Sequence, residues 1–427
     1  MTPRHPLRSV ALVLVLSAAA AACSSDDSST TDSAVDSTAA PATAAPTTEA
    51  PGTTAAPTTE APTTTEAPTT TVSVADLANA YTEPGPYPVG VITLQLAKGP
   101  KVEVWYPAVE GTTGEVSYDV RDFTPEAIRA ILTADIPASY TFAGARDADA
   151  AEGTFPVVLF SHGFTGIRVQ SSFLTSHLAS WGMVVAAPDH PSRDLPNVLG
   201  GTASGDRNDS VDDLLQTLDL VLAEGASEAS VLNGRVDAEH VVAVGHSAGG
   251  GTIVGAATDE RIDGYVSMAS GVALGSSDST ATTVEPQVLP AKPSFFIAGS
   301  LDAIISAEER TRPSFEAVPA PSRLWIIDGV GHNGFDDFCT FGGGTGIIGI
   351  AEASGLGPLL EAQPQLKTLG QDGCIPPAVP VDETFPIIRH SVTAWIRNLF
   401  GIDAEPVGLG PEVADQYSQP VVIDARP

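Results

Sequence analysis

Apolar residues along the chain fall into short β-branched runs separated by segments of helical spacing. Val89–Leu96 alternates, and Lys101–Tyr106 follows it across Gly99-Pro100, which predicts an antiparallel hairpin. Largely apolar runs follow at Phe155–Phe160, Met183–Ala187, Val241–Val244, Gly264–Ala269, Pro293–Ala298 and Arg323–Ile327. Such runs read as strands buried on both faces of a parallel sheet. Helices are predicted between them, at Ser172–Trp181, Val211–Leu222, the stretch from Thr252, Ala307–Phe315 and a closing Phe385–Phe400. In the second of these, Leu214, Leu215, Leu218 and Val221 supply one apolar face. Residues 109–154 read as an insertion with a helix near Pro125–Leu132. The Gly-rich stretch 341–375 reads as irregular, and a Ser/Thr loop is expected at 275–285. The alternation of strand and helix calls for an α/β fold, a mainly parallel sheet with helices on both faces and an antiparallel N-terminal hairpin.

The ends of the chain follow different rules. Arg4 and Arg8 precede the apolar run Val10–Leu16 and an alanine tract to Ala22, the layout of an export signal over residues 1–22. Cys23 then stands behind small residues, which resembles the lipobox of bacterial lipoproteins, although Ala20 occupies the place usual for Leu. The alternative is ordinary secretion with Cys23 unused. Residues 23–75 are rich in Thr, Pro and Ala, and Thr-Thr-Glu-Ala-Pro recurs at 47–51, 58–62 and 64–68. Such a segment cannot build a core and reads as an extended, disordered stalk. The catalytic body is expected over 76–427. Net charge is −32, from 52 acidic and 20 basic residues, which disfavours nucleic acid and anionic lipid as partners. A membrane is expected as a partner only through a lipid anchor. With Cys23 set aside, Cys339 and Cys374 are expected to pair in an oxidising compartment, stabilising by roughly 3–4 kcal/mol on the chain-entropy view. Two buried free thiols are the alternative. Neither cysteine lies in a C-x-x-C, so a metal site is not expected.

Chemistry is sought at the carboxyl ends of the strands, where ligands of such sheets bind. Gly245-His246-Ser247-Ala248-Gly249 has the G-x-S-x-G form, with a strand before it and a helix after it, as a nucleophile elbow requires. A Gly-rich turn packing a helix close to a sheet is the plainer alternative. Asp302 follows the Pro293–Ala298 strand and His332 follows the Arg323–Ile327 strand. A serine hydroxyl is a weak nucleophile, so it needs a histidine to take its proton and a carboxylate to orient that histidine. Ser247, Asp302 and His332 therefore form the candidate triad. Asp263 precedes its strand, and Asp328 is only four residues from His332. His162, His190, His246 and His390 are rivals for the base; His246 is expected to face the substrate cleft, and His390 to be a surface or packing residue. The oxyanion donors are expected to be the backbone N–H groups of Ala248 and Phe164; the alternative for Phe164 is an apolar wall only.

Val102–Pro107, Ser161–Phe164, Ala187–Pro191, Gly245–Gly249, Gly299–Asp302 and Gly331-His332 together resemble the dienelactone-hydrolase-like branch of the α/β-hydrolases, over about residues 85–400. The chain also resembles the platelet-activating-factor acetylhydrolase group and, more distantly, bacterial cutinases and polyester hydrolases. The resemblance implies a serine carboxylester hydrolase acting through an acyl-serine, with no metal or organic cofactor, on a small-molecule or polymeric ester. Dienelactone hydrolases use Cys where Ser247 stands here, so that substrate does not carry over. Polyester enzymes often carry a Trp after the strand that follows the nucleophile helix; Ser270 and Gly271 occupy that stretch here. A non-catalytic cell-surface binding protein on the same fold is the reading from a different class.

Overall fold

The computed structural model describes residues 73–272 and 289–427. The export signal, Cys23, nearly all of the stalk and the Ser/Thr loop at 275–285 lie outside the described residues. Ser73 caps a short helix, Val74–Asn79, so regular structure starts just ahead of the boundary read at Asp76.

The strands in chain order are β1 (Val89–Gln95), β2 (Lys101–Pro107), β3 (Glu115–Asp119), β4 (Ser139–Ala143), β5 (Ala145–Arg146), β6 (Phe155–Ser161), β7 (Val184–Pro188), β8 (Val236–His246), β9 (Gly264–Met268), β10 (Ser294–Gly299), β11 (Ser322–Ile327) and β12 (Val421–Arg426). Among the described residues ten of them make one sheet, in the order β12-β11-β10-β9-β8-β6-β7-β2-β1-β5. The block from β7 to β11 is parallel throughout. The β1–β2 hairpin is antiparallel, as expected, and β2 joins β7 antiparallel.

Side-chain alternation shows why these runs are apolar on both faces. On β8, Val242 and Val244 enter one core while Val241 and Ala243 enter the other. Phe295 and Ile297 oppose Phe296 and Ala298 on β10 in the same way. The first core is closed by the helices Ser172–Ser180 and Val381–Leu399, the second by Arg207–Ala226 and Ala248–Ala256. A parallel sheet covered on both faces needs this double burial.

Several expectations are corrected. The helix read at Val211–Leu222 begins at Arg207, where Asp206 and Asp209 form a capping box, and runs to Ala226; its outer turns are polar and carry no apolar periodicity. The insertion contains a second sheet, β3 paired with β4. The stretch 341–375 is not irregular: it holds helices at Gly346–Ala353, Gly357–Ala362 and Pro364–Gln371. Its prolines sit in first turns, where no backbone donor is lost, so they start helices rather than break them. The helix read from Phe385 begins at Val381, because Pro386 removes a single donor and the helix extends upstream of it. Nor does that helix close the fold, since β12 follows and pairs antiparallel with β11.

Phe385 stacks on Phe173 with ring centroids 3.8 Å apart and fixes this helix to Ser172–Ser180. Phe385→Ala is expected to lower unfolding free energy by about 3–5 kcal/mol in urea titrations.

Candidate active site

Ser247 stands between the last residue of β8 and the helix that begins at Ala248. Its backbone is at φ +55°, ψ −122°, a region L-residues avoid. The flanking glycines make this possible. A Cβ on Gly245 would lie 2.4 Å from the Gly249 carbonyl oxygen, and one on Gly249 would lie 1.9 Å from that of Ser161. The turn leaves Ser247 partly exposed at the carboxyl edge of the sheet, with Ser270 Oγ donating to its carbonyl at 2.7 Å.

Asp302 comes three residues after β10, and His332 five residues after β11. His332 Nε2 is 2.9 Å from Ser247 Oγ, and His332 Nδ1 is 2.8 Å from Asp302 Oδ2. With the carboxylate accepting from Nδ1–H, Nε2 is the lone-pair nitrogen and accepts from the serine hydroxyl. Asp302 and His332 are both buried. The other carboxylate oxygen, Oδ1, accepts from the amides of Ile304 at 2.9 Å and Ile305 at 2.7 Å, which fixes the carboxylate plane. The two rival acids are occupied elsewhere: Asp263 accepts from the Val241 amide, and Asp328 from Ser300 Oγ.

The loop after β6 carries Phe164. Among the described residues neither the Phe164 nor the Ala248 amide has an acceptor, whereas the neighbouring Gly163, Thr165 and Gly166 amides are all bonded. The Phe164 side chain is exposed. The loop is held by Arg193, which the sequence reading missed. Its Nε and Nη2 donate to the His162 carbonyl, Nη2 to Ser161 Oγ and Nη1 to Thr252 Oγ1 on the helix that starts at Ala248. Arg193 lies five residues past β7, in the Asp189–Asp194 stretch at a strand tip, and that position was the available signal.

His190, a rival base, sits in a second Ser–His–Asp line. Ser161 Oγ lies 2.9 Å from its Nε2, and Asp213 Oδ2 lies 3.0 Å from its Nδ1. The line is sealed: Ser161 and His190 are 0% exposed and Asp213 is 4% exposed, so no ester reaches it. Burial, then the adjacent Arg193, holds the His190 imidazole well below its ordinary pKa. His162 accepts from the His190 amide through Nε2, and His390 bonds the Gly408 carbonyl; both are packing residues.

His246 does not face the cleft, contrary to expectation. It is buried behind His332, where its Nδ1 meets Gln170 Nε2 at 2.6 Å and its Nε2 meets the His332 carbonyl at 3.1 Å. At an elbow the residue before the nucleophile points to the side of the sheet opposite the helix that follows, and there it packs under the base loop. Asp336 Oδ2 lies 3.7 Å from His246 Nδ1 and has no hydrogen-bond partner among the described residues. Burial raises the Asp336 carboxyl well above the usual carboxylate range.

The expected disulfide is present. Cys339 and Cys374 are joined, with Cα atoms 5.0 Å apart, and the bridge lies seven residues past His332.

Comparison with known proteins agrees with this architecture. A family described as PET hydrolase-like matches residues 143–350, and platelet-activating factor acetylhydrolase, isoform II, matches residues 85–198. Among solved structures, a ferulic acid esterase from Streptomyces cinnamoneus is 21% identical and superposes with a TM-score of 0.54, covering 80% of this chain and 98% of its own. No curated protein matches the chain. The sheet and elbow are those of the α/β-hydrolase fold. The two matched families and the structural neighbour together support an esterase of the carboxylesterase type on that fold.

The buried Asp336 yields a pH prediction. A carboxyl with a raised folded-state pKa destabilises the fold increasingly as pH climbs from its unfolded value toward its folded one. Asp336→Asn is therefore expected to be more stable than the parent at pH 8, with the difference shrinking toward pH 4, as read by urea unfolding at both values.

Proposed function

We propose that Ser247 is the nucleophile, His332 the general base and acid, and Asp302 the residue that orients His332. The single observation carrying this reading is the hydrogen-bonded line from Ser247 Oγ through His332 to Asp302 Oδ2, rooted in a strained elbow. In the reaction, His332 Nε2 takes the hydroxyl proton as Ser247 Oγ bonds to the ester carbonyl carbon. The carbonyl oxygen becomes an oxyanion facing the unoccupied amides of Phe164 and Ala248; one such donor is worth about 3–4 kcal/mol in the transition state. The C–O bond then breaks, His332 returns the proton to the departing alcohol, and an acyl-serine remains. Water, deprotonated by His332, attacks that acyl carbon; the acid leaves, and Ser247 recovers its proton. Asp302 stays ionised throughout and stabilises the imidazolium.

The substrate class is an ester whose acyl or alcohol part tolerates an apolar entrance, since the Phe164 side chain is exposed beside the candidate oxyanion donors. The related proteins carry the names PET hydrolase-like, platelet-activating factor acetylhydrolase and ferulic acid esterase, so polymeric, phospholipid-type and phenolic esters all belong in the test panel. The enzyme is further proposed to work outside the cytoplasm, held at the cell surface by a lipid on Cys23 and spaced from it by the Thr/Pro/Ala-rich stalk of residues 23–75. Arg4 and Arg8 before Val10–Leu16, the small residues before Cys23 and the repeated Thr-Thr-Glu-Ala-Pro support that part of the reading.

Hydrolysis of p-nitrophenyl butyrate is expected to fall about a thousandfold or more in Ser247→Ala and Asp302→Asn, with the fold intact by circular dichroism. Turnover by the parent no faster than the uncatalysed background would instead favour a binding protein on a hydrolase fold. In the native host, globomycin is expected to cause an uncleaved precursor to accumulate; unaltered processing would exclude the lipid anchor.

A further inference from the structure

The sheet sets a geometric problem for the base. β8 and β11 are three strand spacings apart, about 14 Å, yet His332 must reach a serine that stands on β8. The loop from Asp328 to His332 therefore leans back across β10 and β9, past the loop that carries Asp302. It needs an external hold, and the residues around it show where that hold comes from.

Asp372, half-buried in the segment after the helix Pro364–Gln371, directs both carboxylate oxygens at this place. Oδ1 accepts from the His332 backbone amide at 2.6 Å, and Oδ2 accepts from the Ala303 amide at 3.0 Å. One carboxylate thus bridges the base loop and the acid loop. The bond to Ala303 completes the turn after Asp302: the next two amides go to Asp302 Oδ1, and the first goes to Asp372. The Asp372 carbonyl also accepts from the Asn333 amide at 2.8 Å and from Asn333 Nδ2 at 2.8 Å. The approach is as close as backbone permits. A Cβ on Gly331 would sit 2.5 Å from Asp372 Oδ1, and one on Gly373 would sit 2.9 Å from the Asn333 amide. Two residues on, Cys374 is bonded to Cys339 and ties this segment to the far side of the His332 loop.

We propose that Asp372 is a positioning residue for the triad, setting the His332–Asp302 distance by holding the two loops that carry them. It touches no reacting atom and acts through backbone amides. The disulfide is the second part of the same device, since it fixes the segment from which Asp372 projects. This proposal rests on the catalytic reading of Ser247, His332 and Asp302, and the test separates the two.

Asp372→Asn and Asp372→Ala are compared with the parent and with Ser247→Ala, using p-nitrophenyl butyrate kinetics and the downfield proton resonance of His332 Nδ1–H. Asn keeps one acceptor and points an N–H₂ at the other amide; Ala removes both. The expected result is a graded fall in kcat, about tenfold for Asn and about a hundredfold for Ala. KM stays within about twofold, and the downfield resonance shifts or broadens in the same order. A purely structural role would lower the melting temperature while leaving kcat and the resonance unchanged at temperatures well below it. That outcome, with Ser247→Ala inactive, overturns the proposal alone. Should Asp372→Ala not fold, the near-isosteric Asn variant decides the question by the same readings. Full activity in Ser247→Ala overturns the catalytic reading instead, and the resonance still reports whether Asp372 holds the two loops.

Discussion

The backbone at Ser247, at φ +55° and ψ −122°, is the constraint to which the rest of the architecture answers. Such a conformation costs on the order of 1–3 kcal/mol for a residue with a Cβ, and it persists only where neighbours leave no alternative. Here β8 is paired on both sides by parallel strands, and the Ser247 amide is bonded to the Met268 carbonyl at 2.9 Å. Helix Ala248–Ala256 is pressed so close to the sheet that Gly249 has no room for a side chain. Two cores, one on each face, keep the strand from relaxing in either direction. The strain lifts one hydroxyl out of the sheet, and the first helical amide, that of Ala248, has no acceptor among the described residues.

The remaining candidate site residues arrive on loops, and each loop is braced by a polar side chain rather than by the sheet. Arg193 fastens the loop of Phe164 to the helix of Ala248, so the two candidate oxyanion donors are linked through one guanidinium. Gln170 accepts from the Gly163 amide and bonds His246, which in turn bonds the His332 carbonyl. These contacts run beneath the site from the oxyanion loop to the base. The contrast with the sealed Ser161–His190–Asp213 line is instructive. The same three residue types at nearly the same distances form a brace where water and substrate are excluded, and on the proposed reading a reactive line where the serine stands at an open edge.

Much of this was legible in the sequence, and the parts that were not share a cause. Strands buried on both faces write themselves as largely apolar runs, so β6, β7 and β9 to β11 were readable to within a residue or two, whereas β8 starts five residues ahead of the run read at Val241–Val244, in the partly exposed residues 236–240. The strand-tip rule then pointed to Ser247, Asp302 and His332, which the fold brings together in one hydrogen-bonded line. The misses carry their information in tertiary contacts. β12 has a mixed burial pattern and becomes a strand only because β11 offers a free edge. The helices of 346–371 are short, and their glycines and prolines mark boundaries that composition alone reads as disorder. His246 sits at a position where a polar side chain suggests solvent, but its partners Gln170 and His332 are 76 and 86 residues away. Arg193 and Asp372 bond backbone groups, and a sequence does not display which carbonyls or amides lack partners.

The central claim is that one serine at the tip of β8 is chemically distinct from every other hydroxyl in the chain. It is tested most directly by treating the intact protein with diethyl p-nitrophenyl phosphate and mapping the product by peptide mass spectrometry. The account predicts a single diethyl phosphoryl group per chain, on the peptide containing Ser247, with release of one equivalent of p-nitrophenol. No adduct, or an adduct on a peptide that does not contain Ser247, would contradict it.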